Sequence, residues 1–173
     1  MKKSKVLFIA QGAVIGAIYA AATYLSSVFG IAYGPIQFRL SEALTVLSAI
    51  TPAAIPGLTI GCIIGNLGSP MGLWDIIFGS LASLIAASLG YKLKSIKIKN
   101  IPLPSILMPV ILNGIIVGGE TVFFMSSEEA TFALFVVNAL EVAAGELIVC
   151  LAGGIPVYLA LKKSKIFDSL QKC

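Results

Sequence analysis

TPAAIP, Thr51–Pro56, lies inside a run of 32 residues, 43–74, that contains no Asp, Glu, Lys or Arg. Whether this segment is the middle of one long helix or a turn between two short ones decides how often the chain crosses a membrane. That a membrane is involved follows from composition. The 173 residues are 58% hydrophobic and 12% charged, with a mean hydropathy of +1.00, whereas soluble domains carry about 25% charged residues. Uncharged runs recur at 6–38, 76–91, 100–119 and 147–161, and apolar stretches approaching about 20 residues read as spans. The expectation is an all-α membrane protein in which residues 1–173 form one integral-membrane domain, with no room for a soluble one.

The lysines choose between the two readings of Thr51–Pro56. All eleven fall in three clusters, at 2–5, 92–99 and 162–172. Lysine marks the cytoplasmic side of a span, so all three clusters face inward and an even number of crossings separates each from the next. Residues 6–28 and 73–91 supply two crossings, so the run between them must supply two more. Pro52 and Pro56 provide the break, since proline removes a backbone donor and restricts the residue before it. The resulting spans are about 6–28, 41–51, 57–68, 73–91, 104–125 and 131–161. They predict a six-transmembrane-helix bundle with cytoplasmic N and C termini, multi-pass in the cell membrane. The outer face then carries three connections, 30–40, 68–74 and 126–130.

Several function classes drop out. The net charge of +4 is made of topology lysines, so it does not argue for nucleic acid. The chain has no histidine, and its three cysteines show no CxxC spacing, so neither a metal site nor a disulfide framework is expected. There is no GxxxxGK[ST] phosphate loop, so the chain does not itself hydrolyse ATP. No nucleophile–base constellation is present, and an enzyme is not expected. The opening MKKSKVLFIAQGAVIGAIYAAA has the build of a secretory signal, but the apolar run continues past Ala22 to full span length, which favours a retained helix.

Small residues on the first helix form two adjacent rows at four-residue spacing: Gly12, Gly16 and Ala20 in one, Ala13, Ala17 and Ala21 in the other. Such rows permit close helix approach. They serve packing within the chain, docking to a separate subunit, or both.

Ionisable groups at membrane depth are costly, about 2.5–3.5 kcal/mol for Asp, Lys or Arg, and tend to mark functional sites. In the six-span arrangement Arg39, Glu42, Asp75, Glu120 and Glu141 fall in the outer half or at its mouth, and Glu146 lies deeper. The amides follow: Gln37 and Asn66 near the outer loops, Asn113 along the fifth span, Asn138 one turn before Glu141. With Glu128 and Glu129, the outer region holds six carboxylates against one guanidinium. Acceptors in excess favour a cation or a guest rich in N–H donors, such as a heterobicyclic amine. Trp74 and neighbouring aromatics offer stacking surfaces or act as interfacial anchors. Arg39 and Glu42, three apart, form an ion pair at a helix start or hold a loop over the site. Glu120 and Glu141 have no neighbouring cation in sequence and are the leading ligand-reading groups.

Three segments, GPIQFRLSEALTVL (34–47), GCIIGNLGSPMGLWDIIFGSLASLIAA (61–87) and GELIVCLAGGIPVYLALKK (145–163), resemble the QueT family of membrane substrate-binding subunits of energy-coupling factor transporters, assigned to queuosine precursors. The similarity runs the length of the chain. Gly65 departs from it where alanine is expected, which bears on packing more than recognition. The resemblance implies a six-helix bundle that captures a 7-deazaguanine (the aminomethyl or cyano precursor, or queuine) from outside. It also implies a transmembrane coupling subunit docked on Ala13, Ala17 and Ala21, two partner ATPase subunits, and residence in the bacterial cytoplasmic membrane. Rival readings are the same transporter class with a ligand such as thiamine, and a stand-alone proton-coupled carrier.

Overall fold

The computed structural model describes residues 2–34, 36–125 and 129–171. Among these the chain is helical, apart from connections and one isolated backbone bridge between Ile98 and Ile101. Helix α1 is Lys2–Val28, followed by a short 3₁₀ helix, Leu40–Ala49. Then come α2 (Ala54–Asn66), α3 (Leu73–Leu93), and α4 (Leu103–Glu120), which ends in a π turn, Thr121–Met125. Helix α5 (Phe132–Val149) passes through a second π turn, Cys150–Gly154, into α6 (Ile155–Lys162), and α7 (Lys165–Leu170) follows.

Four of these helices are long and apolar enough to cross a membrane: Lys5–Val28, Leu73–Leu93, Leu103–Phe124 and Phe132–Lys162. The other two apolar helices are short. At about 2.0 Å per residue for a 3₁₀ helix and 1.5 Å for an α-helix, each covers about 20 Å of a hydrocarbon core about 30 Å thick. The break between them is real, but it sits earlier than the prolines suggest. Thr51–Ala53 form the turn, and α2 begins at Ala54 with Pro56 inside its first turn. Proline is tolerated there because the first helical N–H groups have no intrahelical partner. The Thr51 hydroxyl ties this turn to α1 by donating to Gln11 Oε1 at 3.0 Å.

Consecutive α-helices pack on one another, α1 on α2, α2 on α3, α3 on α4 and α4 on α5. The 3₁₀ helix runs through their midst and touches α1 to α6 and the second π turn. It is docked on α1 by hydrogen bonds from Thr23 Oγ1 to Ser41 Oγ (2.8 Å) and from the Leu40 N–H to Ser26 Oγ (3.0 Å). Its apolar residues Val46 and Leu47 join Ile15, Tyr19, Leu58, Ile106 and Tyr158 in the main core.

Glycines set how closely these elements approach. A Cβ on Gly57 would lie 2.7 Å from the Gly12 carbonyl oxygen, and one on Gly61 would lie 2.7 Å from that of Gly16. The α1–α2 crossing is therefore backbone against backbone, the contact that small residues permit in lipid. Of the two small-residue rows, Gly12, Gly16 and Ala20 are buried, with the two glycines against α2, while Ala13, Ala17 and Ala21 stay exposed. On the other side of the bundle, Gly145 of α5 lets the backbone of Gln37 lie against it, since a Cβ there would collide with the Gln37 carbonyl.

Candidate functional site

The buried polar groups gather where the segment 37–42 threads between the long helices. Arg39 precedes the 3₁₀ helix and is only 2% exposed. Its Nη2 donates to Asn66 Oδ1 at the end of α2 and lies 3.5 Å from Asp75 Oδ2 in the first turn of α3. Asn66 closes the assembly by donating from Nδ2 to the Asp75 carbonyl oxygen at 2.7 Å. Gly79, one turn beyond Asp75, leaves the room: a Cβ there would stand 2.7 Å from Asn66 Nδ2 and 3.1 Å from Asp75 Oδ1. The Tyr33 ring covers the guanidinium at 5.3 Å, and its hydroxyl donates to the Gly65 carbonyl at 2.7 Å. Among the described residues the ion pair of Arg39 is with Asp75 and not with Glu42. Three residues apart along an extended-to-3₁₀ junction, the two side chains diverge to different partners.

Glu42 is buried and accepts from the Tyr19 hydroxyl of α1 through Oε1. Glu146 of α5 is buried too, and accepts from Asn113 Nδ2 of α4 at 2.9 Å. The Cys150 thiol is 3.9 Å from Glu146 Oε2 and 3.8 Å from the main-chain carbonyl oxygen of Glu42, so it touches one carboxylate and one backbone group. Glu120 ends α4, just before its π turn, and is 2% exposed. Both of its oxygens lack a hydrogen-bond partner among the described residues, and it lies within electrostatic reach of Asp75 and Arg39. Five more buried atoms share that state among the described residues: Arg39 Nε, which is a donor, Glu42 Oε2, Ser80 Oγ, and the two carboxylate oxygens of Asp75, although one of these faces the guanidinium. Buried polar atoms are nearly always bonded. A donor and several acceptors left open in one cluster therefore have the makings of a binding site.

The QueT transporter family matches residues 9–163. The chain belongs to that family. A curated relative, the queuosine precursor transporter QueT of Lactococcus lactis subsp. cremoris (strain MG1363), is 41% identical over 93 residues, which is 54% of this chain and 54% of the relative. The aligned part of the chain thus spans about half the length of that relative. No solved structure matches the chain significantly. Family membership and the four long apolar helices make this a multi-pass membrane protein.

Within this QueT-family fold, the residues singled out from sequence separate into two groups. Arg39, Glu42, Asn66, Asp75, Asn113 and Glu120 are buried, with Arg39, Asn66 and Asp75 in direct contact, Glu42 bonded to Tyr19 and Asn113 to Glu146, and Gln37 is buried near them in the chain. Trp74, Asn138 and Glu141 lie nearer the surface. Trp74 is 42% exposed and stacks on Phe124 at a centroid distance of 4.3 Å. Asn138 is half-buried and donates to the Leu134 carbonyl of its own helix at 2.9 Å, and Glu141 is half-buried. Of the two acids between α4 and α5, Glu129 is exposed and Glu128 lies outside the described residues. Glu146, set apart in sequence as the deeper acid, belongs to the cluster. The signal for it was Asn113, since an amide and a carboxylate on adjacent spans are natural partners in lipid.

Proposed function

We propose that the chain is the substrate-capture subunit of an importer for a queuosine precursor, binding a 7-deazaguanine in an outward-facing site. The observation that carries this reading is the set of open hydrogen-bonding atoms around Arg39. The two free oxygens of Glu120 are acceptors, and Arg39 Nε is a free donor. A guanine edge offers the complement: N1–H and the exocyclic amine as paired donors, and a carbonyl oxygen as acceptor. A carboxylate takes such a donor pair bidentately, and charge-assisted bonds of this kind are about twice as strong as neutral ones. In this reading Glu120 takes the N–H edge, Arg39 takes the carbonyl, and Asn66 and Asp75 hold the guanidinium in place. Gln37, Glu42 and Asn113 complete the wall, and Trp74, Asn138 and Glu141 stand at the rim. The printed name of the Lactococcus relative supports the same ligand class.

Uptake then needs partners. The exposed row Ala13, Ala17 and Ala21 offers a flat strip to a transmembrane coupling subunit. Two ATPase subunits supply the energy, and this chain binds without chemistry of its own. The topology that fits is six crossings with both termini cytoplasmic in the bacterial cytoplasmic membrane, the 3₁₀ helix and α2 counting as two thin crossings. Native mass spectrometry of the detergent-purified chain tests the ligand class. A bound 7-deazaguanine is the expected mass. A co-purifying thiamine, or no complex after adding the aminomethyl and cyano bases and queuine, overturns the assignment.

A further inference from the structure

At one end of the bundle a cleft of about 370 Å³ opens between the turn after the 3₁₀ helix, the end of α3 and the residue that follows α7. Its floor is Ile50 and Pro52, and its walls carry Lys94, Ser95, Lys97 and Gln171. Thr51, in the same turn, bonds to Gln11 of α1, so α1 also begins at this end. Of the chain's eight acids only Asp168 falls within the lysine clusters. Among the described residues neither Lys94 nor Lys97 has a carboxylate within ion-pair distance.

Orientation in a membrane requires lysines on one side, but it does not require them to share a hollow. Local structure does that. Lys99 and Asn100 have φ of +51° and +65°, and positive φ at both central residues makes a tight two-residue turn. Ile98 and Ile101 on either side of it exchange backbone hydrogen bonds at 2.9 and 3.0 Å. The Lys94 ammonium lies 3.7 Å from the centre of the Tyr91 ring, a cation–π contact that holds it at the wall. On the other side, Phe167 and Leu170 pack α7 against the main core, which brings Gln171 to the cleft. Along the extended stretch 96–98 side chains alternate, so Ile96 and Ile98 take one face and Lys97 the other. Both isoleucines are 52% exposed. An apolar face beside a basic one is the build of a segment that lies in the headgroup layer.

We propose that this cleft holds the phosphate of an anionic phospholipid from the leaflet on the lysine side. Lys94 and Lys97 give the phosphate charge-assisted donors, Ser95 and Gln171 add neutral ones, and Ile96 and Ile98 lie against the upper part of the acyl chains. The isoleucines favour a lipid over a free phosphate ion, which has nothing to place against them. A bound lipid fixes this end of the bundle at its depth in the leaflet. The cleft shares no residue with the cluster around Arg39, and the inference does not depend on which guest is captured there.

Native mass spectrometry of the full chain in detergent, titrated with phosphatidylglycerol or with phosphatidylcholine of the same acyl chains, tests this. Phosphatidylglycerol is expected to bind about 10-fold or more tightly, since each lysine near an anionic surface contributes about fivefold. The double variant Lys94→Gln with Lys97→Gln is expected to lose that preference. Lys162→Gln with Lys163→Gln, which removes the same charge outside the cleft, is expected to keep it. Lys97→Gln alone, at an exposed position, gives the readout at about fivefold if the first double variant does not fold. No preference in the unaltered protein, or equal loss in both double variants, overturns the site. Displacement of phosphatidylglycerol by an equal concentration of glycerol phosphate assigns the cleft to a soluble anion and overturns the lipid. Loss of a partner protein from the first double variant, with no lipid preference in the unaltered chain, assigns the face to that protein and overturns it too.

Discussion

Replacing Asp75 by asparagine leaves a guanidinium buried in the bundle without its facing carboxylate. Arg39 Nη2 lies 3.5 Å from Asp75 Oδ2, and both side chains are shielded from solvent. At an effective dielectric of about 20 that separation corresponds to an attraction of about 5 kcal/mol. Removing one member of a buried pair costs about 3–5 kcal/mol, because the other charge is left uncompensated. Two features place Asp75→Asn at the low end, at about 3 kcal/mol: the Asn66 acceptor remains, and Glu42 and Glu120 still act on Arg39 electrostatically. Arg39→Met alone is expected to cost a comparable amount by stranding Asp75. The double variant Arg39→Met with Asp75→Leu should recover to within about 1 kcal/mol of the unaltered protein, since an apolar pair of similar volume replaces a buried ion pair at little cost. The assay is reversible unfolding in mixed detergent micelles, read as a double-mutant cycle, with deazaguanine binding measured in parallel. Binding should be lost in all three variants. A cost below about 1 kcal/mol for Asp75→Asn, or a double variant as unstable as the two single losses added, would refute the view that these charges hold one another.

Other outcomes follow from the same geometry. Glu120→Gln should weaken deazaguanine binding by about 1.5–3 kcal/mol in calorimetry yet leave unfolding stability unchanged or raised, because its oxygens have no protein partner to lose. Glu141→Gln, at the half-buried rim, should weaken binding less than Glu120→Gln, and the reverse order would move the guest toward α5. Gly61→Leu puts side-chain atoms where the Gly16 carbonyl sits 2.7 Å away, so it should destabilise the α1–α2 crossing by about 1–3 kcal/mol in the same unfolding assay. Ala13→Trp or Ala17→Trp, on the exposed row of α1, should abolish uptake into cells while ligand binding persists. Uptake that survives would mean the row serves no partner.

Much of the scaffold could be read from one-dimensional patterns. Helix is the structure expected wherever lipid leaves the backbone no other partner, and uncharged length with lysine clusters located the four long helices to within a few residues. The break at Thr51–Ala53 was implied by the same counting. Its position was not, because Pro56 reads as a breaker in sequence yet sits inside the first turn of α2, where a missing N–H does no harm. That Leu40–Ala49 forms a 3₁₀ helix, and that it is threaded through the middle of the bundle rather than ranged along its side, depends on contacts from six helices and on Gly145 giving way to Gln37.

For the site, composition alone established that carboxylates outnumber the single arginine within an oily chain, and that such groups are too costly at depth to be incidental. Which acid meets the guanidinium was decided in three dimensions. Glu42, three residues along, goes to Tyr19, while Asp75, brought in by α3, takes Arg39. Spacing along the chain limits what two side chains can reach, but where an extended segment meets a 3₁₀ helix their directions diverge, and the helices packed around them choose the partners. The same packing divided the two rows on α1, closing the glycines against α2 and leaving Ala13, Ala17 and Ala21 outside. Residue types determine that charge is buried and that close approach is possible, and only the tertiary arrangement determines which groups are satisfied and which remain open to a guest.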